Sequence, residues 1–566
     1  MKLKLILNSK LKLNLKTNQY KNKNKIEKMK KLIVLAMMLM AQFSVAQTEH
    51  AWVYFTDKPD VANALANPTT ILTQKAVDRK NNHSIVIDER DVPVNESYIT
   101  QIKNQTGITV MAKSKWFNCV HVLGTQTDID NLLNLSFIDQ IVYADRLLNT
   151  SGRPAVATIS TVNKERFENF VMFNYGNAAN QTTMINVDKL HELDFTGEGI
   201  TVAVMDSGFS NVNTLSAFQR LRDNGDLLNG YDFVDRTTDI YAFTGSDHGT
   251  RVLSDMAGYI DGQFVGTAPD ASYYLFRTED INTETPLEES YWVEAVERAD
   301  SLGVDVVNTS LGYTTFDDSR YNYTTADMDG NTAFITKGGN IAVEKGLLMV
   351  NSAGNSGNTS WGIISAPADG NVFTVGAVED NGDYASFSSR GRTPNIPVKP
   401  DVVAQGRDTF VVNSMGLTTS NGTSFSSPII AGAMACMVQA FPNKTNVELM
   451  QIVRESASIY GSPTIQLGYG IPDFEAAFQT LSGDEVKNAT TIEIFPNPAK
   501  AILQINLPES TQNATITLGS MFGKTIKIYT TTTSAQRIDV SQLAAGMYLL
   551  SIDTNGETIT KKIIKQ

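Results

Sequence analysis

Ile200-Thr-Val-Ala-Val-Met205, running into Asp206-Ser207-Gly208, is the stretch on which the fold turns. A short β-branched-rich run with no solvated alternate face reads as a strand buried on both sides, the habit of a parallel sheet. Val304-Asp-Val-Val-Asn308, Leu347-Leu-Met-Val-Asn-Ser352 and Val372-Phe-Thr-Val-Gly-Ala-Val378 have the same character, with helical text between them at Ser290–Ser301 and Asn340–Lys345. This alternation predicts an α/β domain over residues 181–481, a parallel sheet with helices on both faces.

The flanks read differently. Residues 47–150 suit a small α+β unit, with strand-like Ala51–Phe55 and Val120–Leu123, a further strand candidate at Ser136–Tyr143, and helical Ile99–Thr106 and Asp128–Leu135. Residues 151–180 read as a linker rich in Asn and Ala, and 482–489 as a second, Ser-Gly-Asp-Glu linker. The alternating polarity of 490–566 predicts a small β-sandwich.

The chain of 566 residues carries 47 Lys plus Arg against 60 Asp plus Glu, a formal net charge of −13. The deficit of basic residues weighs against nucleic-acid binding, which needs a cationic face. Cys119 and Cys436 are the two cysteines, too few for a disulfide framework or a four-thiolate zinc site. The first 31 residues hold eleven Lys and one acid, Glu27. An apolar run, Leu32–Met40, and small residues at Ser44 and Ala46 follow, the layout of a secretory signal peptide over 1–46. That run is too short for a transmembrane helix, which needs roughly 20 apolar residues. Met29-Lys30-Lys31 is itself a sufficient start, so translation from Met1 or from Met29 fits equally. Without the leader, 36 basic residues face 59 acids, a balance of −23 over 47–566.

Chemistry-bearing residues follow by elimination. Of the five His, His191 lies in helical Lys189-Leu-His-Glu-Leu193 as a surface or packing residue, and His248 stands in Asp247-His248-Gly249-Thr250 ahead of a helical run, Arg251–Tyr259. No His-Glu-x-x-His and no Cys/His cluster is present, so zinc hydrolysis lacks ligands. Asp206, at the carboxyl end of a buried strand, either caps the next turn or accepts a hydrogen bond from an imidazole. Ser424, in Asn421-Gly-Thr-Ser-Phe-Ser-Ser-Pro428 before apolar Ile429–Ala440, is either an ordinary N-cap or a hydroxyl at a helix start where developing negative charge is favoured. Pro428 is expected in the first helical turn. Asn355, in Ala353-Gly354-Asn355, is either a turn former or an amide donor to an oxyanion. Ser310, in Asn308-Thr-Ser-Leu-Gly312, lacks the preceding Gly of a nucleophile elbow, and Cys436 reads as core filler.

Taken in order, Asp, His, Asn and Ser, these motifs resemble the subtilase family of serine peptidases over roughly Asn180–Leu481. The resemblance implies a secreted serine endopeptidase in which Ser424 is the nucleophile, His248 the general base and acid, Asp206 the orienting carboxylate and Asn355 an oxyanion donor. It implies that Ser310, Leu311 and Gly312 bind substrate as an added strand and that Ser352, Ala353 and Gly354 wall the main specificity pocket. The text after Asn355, up to Ser365-Ala366-Pro367, offers no charge to pair with a basic side chain, so an apolar or small residue is expected before the scissile bond. Ser426 stands where the family commonly has Ala. No cofactor is expected for the chemistry; structural calcium is compatible with the family, at no assignable site. Residues 47–150 stand where the family carries an inhibitory pro-domain, with the maturation cut expected in 151–180. The two cysteines then fall on opposite sides of that cut, and no lasting disulfide between them is expected.

Phe495-Pro-Asn-Pro498, Met521-Phe-Gly-Lys524, Asp539–Leu543, Ala545-Gly-Met-Tyr548 and Lys561–Lys565 resemble the sorting domain of type IX secretion cargo. That implies export through the periplasm of a Gram-negative bacterium to the medium or cell surface, with the secretion machinery and protein or peptide substrates as partners. The competing expectation is a non-enzymatic surface or adhesion protein on a subtilase scaffold, which an altered triad member would have favoured.

Overall fold

Seven strands, all parallel, form the central sheet of the computed structural model. The structure describes residues 47–149, 173–392 and 398–488, then 493–507, 513–520, 525–531, 535–554 and 557–566, with scattered positions between 23 and 31. The apolar leader run 32–40, the greater part of the 151–180 linker and the Met521–Lys524 motif lie outside these residues.

Across the sheet the strands run Val402–Gln405, Phe373–Val378, Leu348–Ser352, Val306–Thr309, Thr201–Asp206, Ser272–Arg277 and Tyr231–Asp232. Every residue of Thr201–Asp206 is buried, as its unbroken apolar reading requires. The chain moves from one side of this strand to the other at its junction with Val306–Thr309. A crevice therefore opens at the carboxyl ends of those two strands, the place where α/β sheets bind ligands.

Helices flank the sheet. His248–Ala257 and Thr423–Ala440 pack together, and Pro286–Leu302 pairs with Phe334–Glu344. Thr423–Ala440 is apolar nearly all round and almost wholly buried, the expected fate of a helix without a polar face. Pro286–Leu302 begins in a capping box formed by Thr285 and Glu288 with Pro286 at its first position, and ends at Gly303, whose φ of 80° few other residues adopt without strain. The segment read as a linker at 482–489 is helical as far as Asn488: Phe474–Asn488 is one continuous helix, because Asp484–Lys487 are compatible with a helix and one interior Gly costs only about 1 kcal/mol.

The N-terminal unit is a four-stranded antiparallel sheet in the order Thr109–Ser114, Cys119–Thr125, Thr48–Phe55, Ile138–Tyr143. Its central strand serves two cores by simple alternation. Ala51, Val53 and Phe55 pack with Ile99, Ile102, Val120 and Val122 in the unit's own core. Trp52, from the opposite face, joins the core of the α/β domain together with Ala112, Trp116 and Cys119. There it stacks on Phe334 at 4.5 Å and donates from its indole nitrogen to Ser290 Oγ at 2.8 Å.

Charges complete this contact. Asp300 accepts from Arg79 at 2.5 Å and from Lys80 at 2.8 Å, and Lys345 pairs with Asp88 at 2.9 Å and Asp91 at 2.8 Å. Glu297 accepts the Ser114 hydroxyl and the backbone N–H groups of Lys115 and Trp116. His50 and His121 share a hydrogen bond of 2.9 Å; burial, then the charge of Arg320, brings His50 down to about 4, so this pair is neutral at ordinary pH.

Beyond residue 492 the strands form a three-stranded and a four-stranded antiparallel sheet around Leu503, Ile505, Ile516, Leu518, Ile538, Leu550 and Ile552. Both cysteines are free thiols and buried. Among the described residues no helix is long and apolar enough to cross a membrane.

Removing one member of a buried ion pair leaves the other charge uncompensated, at a cost of about 3–5 kcal/mol. Asp300→Ala, which takes the carboxylate from Arg79 and leaves Lys80 only its longer pairing with Asp91 at 3.3 Å, is therefore expected to lower the calorimetric melting temperature of the full chain. An unchanged melting profile would show that this charge cluster does not hold the two units together.

Candidate active site

Asp206 ends its strand fully buried, and His248 opens the helix His248–Ala257, three residues earlier than the helical text suggested. The two side chains meet: His248 Nδ1 lies 2.8 Å from Asp206 Oδ1. Because a carboxylate only accepts, Nδ1 carries the proton and Nε2 is left as the basic nitrogen. Gly249 makes the approach possible, since a Cβ there would lie 2.6 Å from the Gly208 carbonyl oxygen and 2.9 Å from Asp206 Cβ. Burial pulls the His248 imidazole down, but the charge and hydrogen bond of Asp206 outweigh it and hold the ring above the ordinary imidazole value.

Ser424 lies at the start of Thr423–Ala440, a helix that begins six residues before the expected Ile429. Pro428 therefore falls inside the helix rather than in its first turn. Its missing N–H deprives the Ser424 carbonyl of the ordinary i+4 partner. Ser310, at the carboxyl end of the neighbouring strand Val306–Thr309, supplies the substitute: its hydroxyl donates to the Ser424 carbonyl at 2.9 Å. Asn308 Nδ2 contacts Ser310 Oγ at 3.2 Å, while Ser427 Oγ donates to Asn308 Oδ1 at 2.8 Å. Three side chains thus rivet the helix to the sheet at the crevice. Ser426 donates to the Thr423 carbonyl at 3.1 Å, which satisfies the extra hydroxyl this chain carries there.

Asn355 is exposed, and its amide is oriented by Thr423. The Thr423 N–H and hydroxyl donate to Asn355 Oδ1 at 2.9 and 3.1 Å, and the Gly354 N–H donates to Thr423 Oγ1 at 3.1 Å. With Oδ1 so engaged, Nδ2 is the free donor beside the Ser424 helix start. Ser310–Gly312 and Ser352–Gly354 converge on Ser365: a Cβ on Gly312 would lie 2.2 Å from Ser365 Oγ, and one on Gly354 would lie 3.1 Å from it. Beyond Gly312 a cavity of about 310 Å³ is lined by Glu284, Thr314, Thr315, Phe316 and Asp317.

The structure brings Asp206 and His248 into direct contact and places Ser424 and Asn355 on one framework. His248 and Ser424 share no hydrogen bond in it; Ser424 Oγ donates weakly to the Ser310 carbonyl at 3.4 Å, and the His248 ring lies 5.7 Å from that of Phe425. Cys436 is core, as read, and contacts the Thr267 carbonyl. His191 is a packing residue: fully buried, bonded to Tyr175 Oη at 2.7 Å and the Thr267 carbonyl at 3.0 Å, and brought by burial down to about 4. Sequence reasoning gave no role to Thr423, Asn308 or Glu279. The last follows the Ser272–Arg277 strand; burial, then Glu284 and Asp206, push its carboxyl up to about 8, and Tyr313 donates to it at 3.5 Å. Only the Thr423 signal was available, through its place beside Ser424.

A carboxylate–imidazole couple and a serine at a buried helix start, set at the switch point of a parallel sheet, define a serine peptidase of α/β type. The chain belongs to the subtilase family, whose model matches residues 197–474. It is 31% identical over 300 residues to subtilisin E of Bacillus subtilis (strain 168), covering 52% of this chain and 70% of that one. Subtilisin of Bacillus pumilus is likewise 31% identical over 300 residues, 97% of its length. The crystal structure of MycP1 from Mycobacterium smegmatis matches at 24% identity with a TM-score of 0.42, over 56% of this chain and 89% of that one. A peptidase S8 propeptide domain of Bacteroidota type matches 50–160, and a secretion system C-terminal sorting domain matches 493–566. These flanks mark a secreted or cell-surface protein of a Gram-negative bacterium, exported by the type IX route.

Ser310→Ala strips the Ser424 carbonyl of its donor, a loss of about 1–3 kcal/mol for a buried acceptor. Pro428→Ala restores an N–H at the i+4 position. In urea unfolding, the cost of Ser310→Ala is therefore expected to shrink in the Pro428→Ala background; strict additivity would break the proposed link between the two residues.

Proposed function

We propose that the chain is a secreted serine endopeptidase that hydrolyses peptide bonds in proteins through an acyl-enzyme, its working unit being residues 181–481. The observation that carries this reading is the 2.8 Å contact of His248 Nδ1 with buried Asp206, which leaves Nε2 as the basic nitrogen of a ring 5.7 Å from that of Phe425, the neighbour of Ser424. Ser424 Oγ attacks the scissile carbonyl carbon as His248 Nε2 takes its proton. The resulting oxyanion is met by Asn355 Nδ2 and the Ser424 backbone N–H. His248 then gives the proton to the leaving amine, the C–N bond breaks, and water repeats the sequence to release the acid. Asp206 keeps the imidazole in the required tautomer and stabilises the imidazolium without itself becoming protonated.

Ser310–Gly312 pairs with the extended substrate as an added strand. Ser365 Oγ stands beside Gly312 and Gly354, and with no charge in the sequence from Asn355 to Pro367 the specificity pocket favours a small or apolar side chain before the cleaved bond. The 47–150 unit acts as an intramolecular inhibitor until a cut within 151–180, and the 490–566 domain is the export signal. No cofactor takes part in these steps. Among the described residues no group of three or more His, Cys, Asp or Glu side chains is gathered to hold a metal ion, and no residue is assigned to calcium.

Processed protein is expected to cleave unfolded casein and to be labelled by a serine-directed fluorophosphonate. Ser424→Ala should abolish both, and Asn355→Ala should lower kcat by about 10²–10³-fold. Casein cleavage undiminished in Ser424→Ala would remove Ser424 from the mechanism, and absence of cleavage and labelling in the wild type would leave the non-enzymatic surface protein as the reading.

The base must be neutral to act, and Asp206 raises the His248 pKa, so activity rises with pH as His248 loses its proton above the ordinary imidazole value. Asp206→Asn is expected to move this acid limb to lower pH and to cut kcat by about 10⁴-fold, read from pH–rate profiles. An acid limb that stays in place would exclude His248 as the titrating base. Deleting 490–566 should leave the protein in the periplasm, as cell fractionation would show.

A further inference from the structure

An antiparallel hairpin, Thr409–Asn413 with Gly416–Ser420, links the surroundings of His248 to Ser424. Its second strand runs through Asn421 and Gly422 straight into Thr423 and Ser424. At its turn, Ser414 Oγ lies 3.5 Å from Asp247 Oδ2, on the residue before His248. A two-stranded hairpin is at best marginally stable alone, and an outer edge leaves alternate backbone groups without partners. Here two side chains complete that edge. Ser254, from the helix that His248 opens, accepts the Val412 N–H at 2.9 Å. Gln181 takes both backbone groups of Phe410: the Phe410 N–H donates to Gln181 Oε1 at 3.0 Å, and Gln181 Nε2 donates to the Phe410 carbonyl at 3.1 Å.

Gln181 uses its whole amide. Its second N–H donates at 3.1 Å to Oδ1 of Asp255, a buried residue of the His248 helix. Burial holds the Asp255 carboxyl well above the usual carboxylate range, so the amide meets an uncharged acid. One side chain thus bridges the hairpin that leads to Ser424 and the helix that begins at His248. The segment carrying Gln181 is itself tied down from Phe173 onward. Phe173 lies edge-on to Tyr259 at 6.1 Å, with the Arg220 guanidinium 5.9 Å from its ring. The Asn177 N–H donates to the Gln263 carbonyl at 2.8 Å, and Ala178 shares a small core with Phe264 and with Val412 of the hairpin.

We propose that residues 173–183 form a strap belonging to the working peptidase, and that Gln181 is a positioning residue which, by holding the hairpin, fixes Ser424 against His248. The inference rests on the catalytic reading of those two residues, and it carries the start of the working unit back from residue 181 to Phe173 or before. Ser310–Gly312 and Ser352–Gly354, the segments read as binding substrate, take no part in this fastening. Loss of the Gln181 amide therefore bears on the chemical step rather than on binding. A shift of a reacting group by about 1 Å, caused from a distance, can cost on the order of 10²-fold in rate.

The test compares variants of the processed protein on a chromogenic peptide, with the melting temperature measured alongside. Gln181→Met fills the same space without an amide and is expected to lower kcat by about ten- to a hundredfold with KM unchanged. Thr182→Val, on the same strap, removes only a local bond to the Ala178 carbonyl at 2.9 Å; it is expected to keep kcat while the melting temperature falls. N-terminal sequencing of the processed protein should give a first residue at or before Phe173. Unchanged kcat in Gln181→Met, an equal loss of kcat in Thr182→Val, or a first residue after Phe173 would each overturn the proposal. If Gln181→Met fails to accumulate, Gln181→Asn, which withdraws the amide by one methylene, decides by the same readings. Ser424→Ala separates the two levels: full activity there fells the catalytic reading and the strap together, whereas an inactive Ser424→Ala beside an unaffected Gln181→Met fells the strap alone.

Discussion

One hydrogen bond, from the Ser310 hydroxyl to the Ser424 carbonyl, joins the two halves of the crevice. Its existence depends on a residue that donates nothing. Pro428 denies the helix its own bond to that carbonyl, and a strand residue takes its place. The helix start is thereby registered against the sheet rather than against its own next turn. Asn308 and Ser427 extend the same fastening, and Thr423, one residue before Ser424, carries it across to the Asn355 amide. A framework of short polar side chains on rigid elements suits chemistry that depends on sub-ångström placement.

The second half of the crevice is organised by a buried carboxylate. Asp206 and Arg277 are paired neighbours at the carboxyl ends of adjacent strands, yet they serve different ends. Arg277 is neutralised sideways by Asp232 at 2.9 Å and Asp235 at 2.8 Å, under the ring of Phe243. Asp206 is thus left to the imidazole. Keeping a guanidinium away from the Asp–His couple matters, because a cation there would depress the basicity that the couple needs.

The four β-branched runs were legible because strands buried on both faces leave an unbroken apolar trace, and all four are sheet strands. Ser272–Arg277 and Val402–Gln405 escaped notice for identifiable reasons. The first begins with Ser and ends on an arginine whose burial depends on carboxylates some forty residues away in the chain; the second is too short to show a period. The candidate site was legible only as motif, Asp206, His248, Asn355 and Ser424 each close to a Gly or a helix start. What held those residues was not. The partners of Thr423, Asn308 and Ser310 are set by which element lies beside which, and no local pattern carries that. Pro428 was misplaced because the helix runs through Ser426 and Ser427, residues of modest helix propensity whose hydroxyls find partners at the Thr423 carbonyl and Asn308.

Trp52, Ala112, Trp116 and Cys119 belong to the N-terminal unit by sequence but to the α/β core by packing. A catalytic region that parts from this unit gives up those contacts and the cations that faced Asp300, and so lies higher in free energy than the chain that folded. The height of its unfolding barrier then matters more to its persistence than it does for the whole chain.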